Sequence, residues 1–456
     1  MNKRDTDLLD MLPALEDGSL KYTPISVCRD MVNLIPDDVF NKDAKFLDIA
    51  CKSGRFLREI MYRLMESNQM QSGSVEGRDE KKYNLAIESE REEYIMREQL
   101  FGLSLNDTVV NIARRNLYGT LDSGIDNIIT VKEYPEIAHK PKYVMGDTNI
   151  YKILKEKFNI MADAKDMKFD VVIGNPPYNS GMDLDFVDLG YKLCGKYVCM
   201  VTPAKWKTAD EAQRIASAVS YGEFRQNYEP HMKSIYFYPD CKDVFNIMQA
   251  DGISWYLIDK LHTYDKCTIV NKLKANKGID SVSERNLCDS DTLFNVGDEI
   301  IKYIGKYNNF TFPNCDYGRF KVLTNNHAPG GALYAFSPNT SSIYVIGKSY
   351  LLDTQTNRLA FGEKSLPDDA IAVYSSDNLR ECQSFLSWLK TKFVRFFVAV
   401  NISKLAPMMC NECFKLVPAP PSGKFDHIYT DEELYKAFNL PQKYIDVIES
   451  VIKERK

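Results

Sequence analysis

A short apolar strand that is forced to stop constrains this chain more than any other stretch of its sequence. Residues 170–178 read Asp-Val-Val-Ile-Gly-Asn-Pro-Pro-Tyr. The β-branched run Val171–Ile173 predicts a buried strand. Pro176 and Pro177 cannot continue that strand, because proline fixes the backbone and lacks the amide hydrogen that a sheet needs. The sequence therefore predicts a strand that ends abruptly at a rigid corner.

This corner has the chemistry to hold a planar amino group. The prolines leave the carbonyls around them free to face a ligand, and Asn175 adds an amide that both donates and accepts. Tyr178 adds an aromatic face. A rigid pair of acceptors beside a ring suits an amine such as the exocyclic one of adenine. The alternative interpretation is a strand that simply ends in a proline turn.

Strand-like and helix-like segments alternate from about residue 21 to residue 260, which predicts an α/β domain with a mostly parallel sheet. The predicted strands are 46–50, 100–103, 143–145, 169–173, 197–201, 235–237 and 253–258. We expect the last two to form an antiparallel pair at the edge of the sheet. After about residue 267 the chain contains short strand-like pieces separated by Asn, Ser, Gly and Pro, and then an apolar helix at 379–398. This change of texture predicts a second domain.

Composition limits the class of protein that the chain can form. Its 456 residues are enough for two or three domains, and 44% hydrophobic with 27% charged residues is typical of a globular protein in water. No apolar run is long enough to cross a bilayer, and the polar N-terminus predicts no signal peptide. Eleven cysteines without framework spacing favour a reducing cytoplasm. A net charge of -5 argues against a wholly basic nucleic-acid binder but permits a basic cleft.

A second segment has the pattern of a nucleotide-binding turn. Residues 46–60 read FLDIACKSGRFLREI, in which a strand ends, small residues follow and a helix begins. Small residues let the backbone approach a ligand closely, and amides at the start of a helix point at negative groups. With Gly54 as its single glycine, the segment alone is equally compatible with a plain strand-to-helix turn. Asp147, after the third predicted strand, and Thr23, before the first helix, are further candidate ligands.

Taken together, these segments resemble the N6-adenine DNA methyltransferases of the gamma arrangement, the NPPY-motif enzymes of restriction–modification systems. The resemblance covers the chain from about residue 21 to its end. It implies a Rossmann-like methyltransferase domain with a mostly parallel seven-stranded sheet, followed by a C-terminal α+β target-recognition domain. The implied boundaries are a catalytic domain at 1–265, a connecting segment at 266–310, and a DNA-binding domain with C-terminal helices at 311–456. S-adenosylmethionine is the implied cofactor.

The resemblance also assigns roles to individual residues of this chain. The implied catalytic residues are Asn175, Pro176, Pro177 and Tyr178, and the residues implied to hold the substrate base are Tyr178 and Phe245. The residues implied to bind the cofactor are Thr23, Pro24, Asp48, Ala50, Cys51, Gly54, Asp147 and Asn175. Two positions depart from the family's pattern. Lys52 stands where a glycine is usual, so the turn there must avoid a glycine-only conformation. At Ser104 the family usually has the acid that holds the ribose, and Asp107 is the candidate substitute.

The function implied by the resemblance is site-specific methylation of N6 of adenine, flipped out of double-stranded DNA. The implied enzyme acts as a monomer on DNA in a bacterial cytoplasm, encoded by a host or a phage, alongside a separate restriction endonuclease. We expect no metal, because Cys410 and Cys413 lack a second pair at zinc-ribbon distance. Two alternatives remain open. One is the same chemistry on adenine in RNA or on glutamine in protein, and the other is a non-catalytic DNA-binding subunit whose cofactor pocket has decayed.

Overall fold

The computed structural model describes most of the chain with a number of gaps. The residues described are 22–104, 106–131, 154, 156–158, 169–178, 181–207, 209, 219–238, 242–245, 252–272, 281–290, 292–295, 297–315, 320–325, 341–345, 350–353, 358–361, 370–400, 414 and 416–452. Within these residues, no helix is long and apolar enough to cross a membrane. The described cysteines form no disulfide with one another.

A mixed sheet of nine strands organises the described part of the chain before residue 286. Its strands are β1 (Phe46–Asp48), β4 (Leu100–Ser104), β5 (Ile128–Thr130), β6 (Phe169–Gly174), β7 (Cys194–Pro203), β8 (Met232–Tyr238), β9 (Ile253–Asp259), β10 (Cys267–Asn271) and β11 (Ser281–Arg285). A separate hairpin consists of β2 (Ser74–Glu76) and β3 (Lys82–Asn84). The spatial order of the sheet is β11-β10-β8-β9-β7-β6-β1-β4-β5. Five of its neighbouring pairs are parallel and three are antiparallel, so the mostly parallel α/β fold is confirmed.

The predicted count of seven strands is wrong, and so is the predicted edge. β8 and β9 do pair antiparallel, but β10 and β11 extend the sheet beyond them. Ile269 of β10 is fully buried because β10 pairs in parallel with β8, a partner that a local sequence pattern does not reveal. The sheet thus continues past residue 265. The strand predicted at 143–145 lies outside the described residues, and β5 pairs with β4 in a place where no strand was predicted.

Helices cover both faces of the sheet. In the described residues they are α1 (Ile25–Leu34), α2 (Arg55–Glu66), α3 (Glu88–Tyr94), α4 (Asp107–Tyr118), α5 (Met182–Leu193), α6 (Tyr221–Tyr228), α7 (Lys242–Phe245), α8 (Gly297–Ile304), α9 (Leu379–Lys390), α10 (Lys392–Val400), α11 (Asp431–Ala437) and α12 (Gln442–Val451). Along β6, Val172 packs into one hydrophobic cluster, while Val171 and Ile173 pack into the other. All three side chains are fully buried, which confirms the predicted buried strand.

A second sheet, antiparallel and five-stranded, follows the first. Its strands are β12 (Phe320–Asn325), β13 (Ser341–Val345), β14 (Tyr350–Asp353), β15 (Arg358–Phe361) and β16 (Ala370–Ser376), in the order β15-β14-β13-β12-β16. The single helix predicted at 379–398 is two helices, α9 and α10, on either side of Thr391. The segment 266–310, expected to connect two domains, contains β10, β11 and α8. It packs against the C-terminal part: the Phe310 amide donates to the carbonyl of Val417 over 2.7 Å.

Candidate active site

The diproline corner (residues 174–178), predicted to be catalytic, and the turn after β1 (residues 49–54), predicted to bind the cofactor, lie side by side at one edge of the sheet. We call them the catalytic corner and the cofactor turn after these predictions. β1 and β6 are adjacent and parallel, with Asp48 opposite Ile173, so the loops that follow them leave the sheet together. The amide of Ile49 donates to the carbonyl of Ile173 over 2.9 Å, which ties the two loops at their origin. In open α/β sheets, ligands bind outside the carboxyl ends of the strands. The two segments singled out in the sequence are therefore brought to one place.

Asn175 is the most informative side chain in this place. It is only 5% exposed, and its Nδ2 donates to Oγ1 of Thr23 over 2.9 Å. Its Oδ1 is buried and accepts no hydrogen bond in the described part of the chain. A buried carbonyl oxygen without a donor is costly, and such orphans often belong to sites that a ligand completes. β6 ends at Gly174, as predicted; beyond Asn175, Pro176 is buried, and Pro177 and Tyr178 are partly exposed.

Thr23 reaches Asn175 because α1 begins directly after it. Pro24 is the N-cap of α1, and its carbonyl accepts the first helical hydrogen bond from the amide of Cys28 over 3.0 Å. The carbonyl of Thr23 accepts a hydrogen bond of 2.9 Å from Nη1 of Arg55, the first residue of α2. Thr23 is thus joined both to the catalytic corner and to the helix that follows the cofactor turn. Sequence reasoning missed Arg55, although a cation at the start of α2 was visible as a signal.

The cofactor turn itself is built close to the sheet. Asp48 is buried and accepts a hydrogen bond of 3.2 Å from the amide of Ala50. Burial raises the pKa of Asp48 to about 7, against the opposing effect of that amide. The Cys51 amide donates to the Leu103 carbonyl over 2.7 Å, and burial raises the pKa of the Cys51 thiol. Gly54 ends the turn with a φ of +77°, a conformation that favours glycine.

Lys52 occupies the place where the resembled family has a glycine. It is not among the described residues with positive φ, so the predicted avoidance of a glycine-only conformation is confirmed. Burial lowers the pKa of Lys52 to about 8, and the neighbouring charge of Asp48 opposes this shift. Burial thus disfavours the charged form of both side chains, the carboxylate of Asp48 and the ammonium of Lys52.

The remaining predicted residues divide into two groups. Phe245 is 7% exposed and belongs to the hydrophobic cluster against which Tyr178 packs, so its contact with a base stays a prediction. Asp147 lies outside the described residues, as do Cys410 and Cys413. Ser104 is buried, whereas Asp107 is exposed at the start of α4 and accepts a hydrogen bond from the hydroxyl of Thr130. A ribose contact of Asp107 likewise stays a prediction.

The buried amide of Asn175 and the tight turn after β1 thus lie at the carboxyl edge of an α/β sheet, which is where such sheets usually bind ligands. Residues 98–245 match the family described as Eco57I restriction-modification methylase. This segment contains the whole catalytic corner and ends at Phe245. Over these residues the predicted resemblance to restriction–modification methyltransferases is confirmed, and the gamma arrangement stays a prediction.

A curated relative from Mycoplasma pneumoniae, an "Uncharacterized adenine-specific methylase", is 28% identical over 62% of this chain and 76% of its own length. Among solved structures, the modification subunit of a putative type I restriction enzyme from Vibrio vulnificus YJ016 shares 16% identity. That match covers 58% of this chain and 50% of that one, with a TM-score of 0.39. The M protein of the type I restriction enzyme EcoKI shares 14% identity over 55% and 48% of the two chains, with a TM-score of 0.37. The chain thus spans about half the length of these two solved proteins.

Proposed function

We propose that this protein transfers a methyl group from S-adenosylmethionine to N6 of an adenine in a specific sequence of double-stranded DNA. The buried Oδ1 of Asn175 carries the proposal, since it is an acceptor held in place for a donor that none of the described residues supplies. The two hydrogens of an adenine amine suit such an acceptor. The adenine specificity of the curated relative supports the same substrate.

The chemistry follows from how poor a nucleophile the adenine amine is. Its lone pair is delocalised into the ring, so the nitrogen must become more pyramidal as it attacks. Oδ1 of Asn175 and the carbonyl of Pro176 would accept the two amine hydrogens and favour that geometry, which stabilises the transition state more than the ground state. The rigid diproline corner keeps both acceptors fixed, so little reorganisation is needed when the reaction occurs. S-adenosylmethionine, when bound, would supply the methyl group on a sulfonium leaving group.

The residues at the sheet edge fit this cofactor. At Gly54 a Cβ would lie 3.4 Å from Ala113, and at Gly174 a Cβ would lie 3.2 Å from Ile49, so the two glycines let the turn and the diproline corner pack closely against neighbouring elements. The hydroxyl of Thr23 can donate to the carboxylate of the methionine part, next to Pro24. Asp48 at the end of β1, and Ala50 and Cys51 in the turn after it, would hold that part. The role of Asp147 as acceptor for the purine amine of the cofactor belongs to the proposal as well.

Access to an adenine in a duplex requires that the base be flipped out, at a cost of a few kcal/mol. Stacking of the base on Tyr178 and Phe245 would offset part of this cost, at roughly 1–3 kcal/mol per stacked base. The described order of the segments, with the cofactor turn before the catalytic corner and a further sheet after both, supports the gamma arrangement. We assign recognition of the DNA sequence to residues 311–456. The enzyme would act as a monomer on DNA in a bacterial cytoplasm, with a separate restriction endonuclease as its partner.

Transfer of a labelled methyl group from S-adenosylmethionine tests the proposal. We expect label in adenine of duplex DNA and none in RNA or protein, and the position of the label in genomic DNA gives the recognition sequence. Asn175→Ala should lose at least about 100-fold in kcat, by analogy with removal of one oxyanion-hole contact. Its DNA binding should remain.

The same assay separates the competing functions. Label in RNA or in a protein glutamine would favour a different planar amine as the substrate. A wild-type protein that binds DNA but labels none of these substrates would favour a non-catalytic subunit, an alternative that Lys52 and Ser104 motivate.

A further inference from the structure

We infer that Thr23 is a positioning residue that orients the amide of Asn175 so that its Oδ1 faces the substrate amine. Binding of the cofactor to the Thr23 hydroxyl would favour this orientation. The inference rests on the proposed function. It goes beyond the expected role of Thr23 as a contact to the cofactor alone. The observation behind it is a hydrogen bond between two buried side chains that are 152 residues apart in the chain.

The two ends of an amide side chain are nearly identical in shape but opposite in hydrogen bonding. The final torsion of asparagine is broad and close to two-fold, so packing alone does not decide which end faces the ligand. In this structure the Nδ2 of Asn175 donates to Oγ1 of Thr23, and Oδ1 is left as the unpartnered acceptor. After a half-turn of the amide, Nδ2 would face the adenine amine instead. Two donors would then oppose each other, and the reaction would lose its acceptor.

The Thr23 hydroxyl has a single hydrogen to donate, and the cofactor decides which neighbour receives it. If the carboxylate of the methionine part accepts the single hydrogen of the Thr23 hydroxyl, the oxygen of that hydroxyl can only accept from its other neighbour. The neighbour is Asn175, which must then present Nδ2 to Thr23 and Oδ1 to the base. Hydrogen bonds in such a chain also polarise one another in a buried place. Cofactor binding therefore prepares the acceptor before an adenine arrives.

The backbone carbonyl of Thr23 holds the segment before α1 in place independently of the Thr23 hydroxyl. It accepts a hydrogen bond of 2.9 Å from Nη1 of Arg55 and a weaker one from Sγ of Cys28. Both contacts use the backbone, so they persist when the side chain of Thr23 is changed. A substitution at this position consequently tests the hydroxyl and not the anchoring of the segment before α1.

The test compares Thr23→Val, which keeps the shape and loses the hydroxyl, with Thr23→Ser, which keeps the hydroxyl. At saturating S-adenosylmethionine we expect kcat of Thr23→Val to fall about 10- to 100-fold, up to the loss seen when one preorganised contact is removed. Thr23→Ser should recover most of the rate. A residue that only binds the cofactor would instead raise KM and leave kcat unchanged, and that result would overturn the inference. A serine variant as defective as the valine variant would overturn it too.

A binding experiment gives a readout that is separate from turnover. Duplex DNA with 2-aminopurine beside the target adenine reports on flipping, and its affinity is measured with and without S-adenosylhomocysteine. We expect the product cofactor to tighten DNA binding in wild type and Thr23→Ser, and to have little effect on it in Thr23→Val, since coupling between two ligands is reciprocal. Equal coupling in all three proteins would contradict the inference. If wild type transferred no label, the proposed function would be contradicted instead. The effect of S-adenosylhomocysteine on DNA binding in the three proteins would still show whether Thr23 couples the two ligands.

Discussion

Gly174 faces Ile49 across two adjacent strands so closely that a Cβ at position 174 would lie 3.2 Å from Cγ2 of Ile49. The same added atom would lie 3.5 Å from Oδ1 of Asp48. The residue before Asn175 is therefore packed against the turn that we propose binds the cofactor. The turn after β1 and the corner after β6 are therefore held together by close packing as well as by the hydrogen bond between Ile49 and Ile173.

Gly174→Ala should push these two halves apart by a few tenths of an ångström. We expect a loss of about 1–3 kcal/mol in the free energy of unfolding, as for an overpacked core, and weaker binding of the cofactor. Gly190→Ala is the matched control, because its Cβ would meet the flexible end of Met200 at 2.9 Å and its nearest neighbours include no atom of the turn. Urea unfolding and calorimetric titration with S-adenosylhomocysteine measure both effects. If Gly174→Ala left the cofactor affinity unchanged, the close contact between Gly174 and Ile49 would play no part in cofactor binding.

Gly54→Ala forces a left-handed conformation on an alanine at the N-cap of α2. Such a conformation costs an L-residue about 1–2 kcal/mol, and here the Cβ would also lie 3.4 Å from Ala113. Gly423→Ala carries a similar strain, with a φ of +65° and no atom within 4 Å of the added Cβ. We expect both variants to lose stability and only Gly54→Ala to lose cofactor affinity. Equal affinity in the two variants would argue against a cofactor at this turn.

Asp48→Asn should alter how stability depends on pH. Burial raises the pKa of Asp48 from an ordinary value of 3.8 to about 7. Between these values the folded protein holds a proton that the unfolded chain has lost, so the free energy of unfolding falls as the pH rises toward 7. The contribution is at most about 1.4 kcal/mol per pH unit, and it is absent in the asparagine variant.

Urea unfolding of both proteins at pH 5, 6, 7 and 8 measures this difference. The wild type should lose stability relative to Asp48→Asn up to pH 7, and the difference should then level off. Two parallel curves over the whole range would mean that Asp48 is already charged in the folded protein at pH 5.

Lys52→Gly should change the preference between the two forms of the cofactor. S-adenosylmethionine carries a sulfonium charge that S-adenosylhomocysteine lacks, so an ammonium in the turn disfavours the first more than the second. We expect the ratio of the two affinities to shift toward S-adenosylmethionine by roughly 3- to 10-fold, the size of a screened charge–charge interaction. Lys42→Ala, at an exposed position before β1, removes the same charge elsewhere and should leave the ratio unchanged.

The pH dependence of this ratio is a second measurement on the same pair of proteins. Because burial lowers the pKa of Lys52 to about 8, wild type should approach the glycine variant as the pH rises above that value. A ratio that stays different at pH 9.5 would mean that Lys52 acts by shape and not by charge.

The sequence by itself determined the features that depend on neighbours along the chain. β6 ends at Gly174 because two prolines follow within three residues, and α2 begins at Arg55 because Gly54 can adopt a left-handed conformation. Stereochemistry of this kind is local, so a pattern of a few residues predicts it. The order of the two loops along the chain was enough to indicate the family that residues 98–245 match.

Only the tertiary structure decided what depends on residues far apart in the chain. It added β5, β10 and β11, three strands that were not predicted, to the large sheet, and it brought Thr23 to Asn175. It also buried Asp48, and burial sets a pKa through the solvent that distant elements exclude. Strand order and side-chain contacts of this kind are set by packing between elements, and packing has no signature within a single segment.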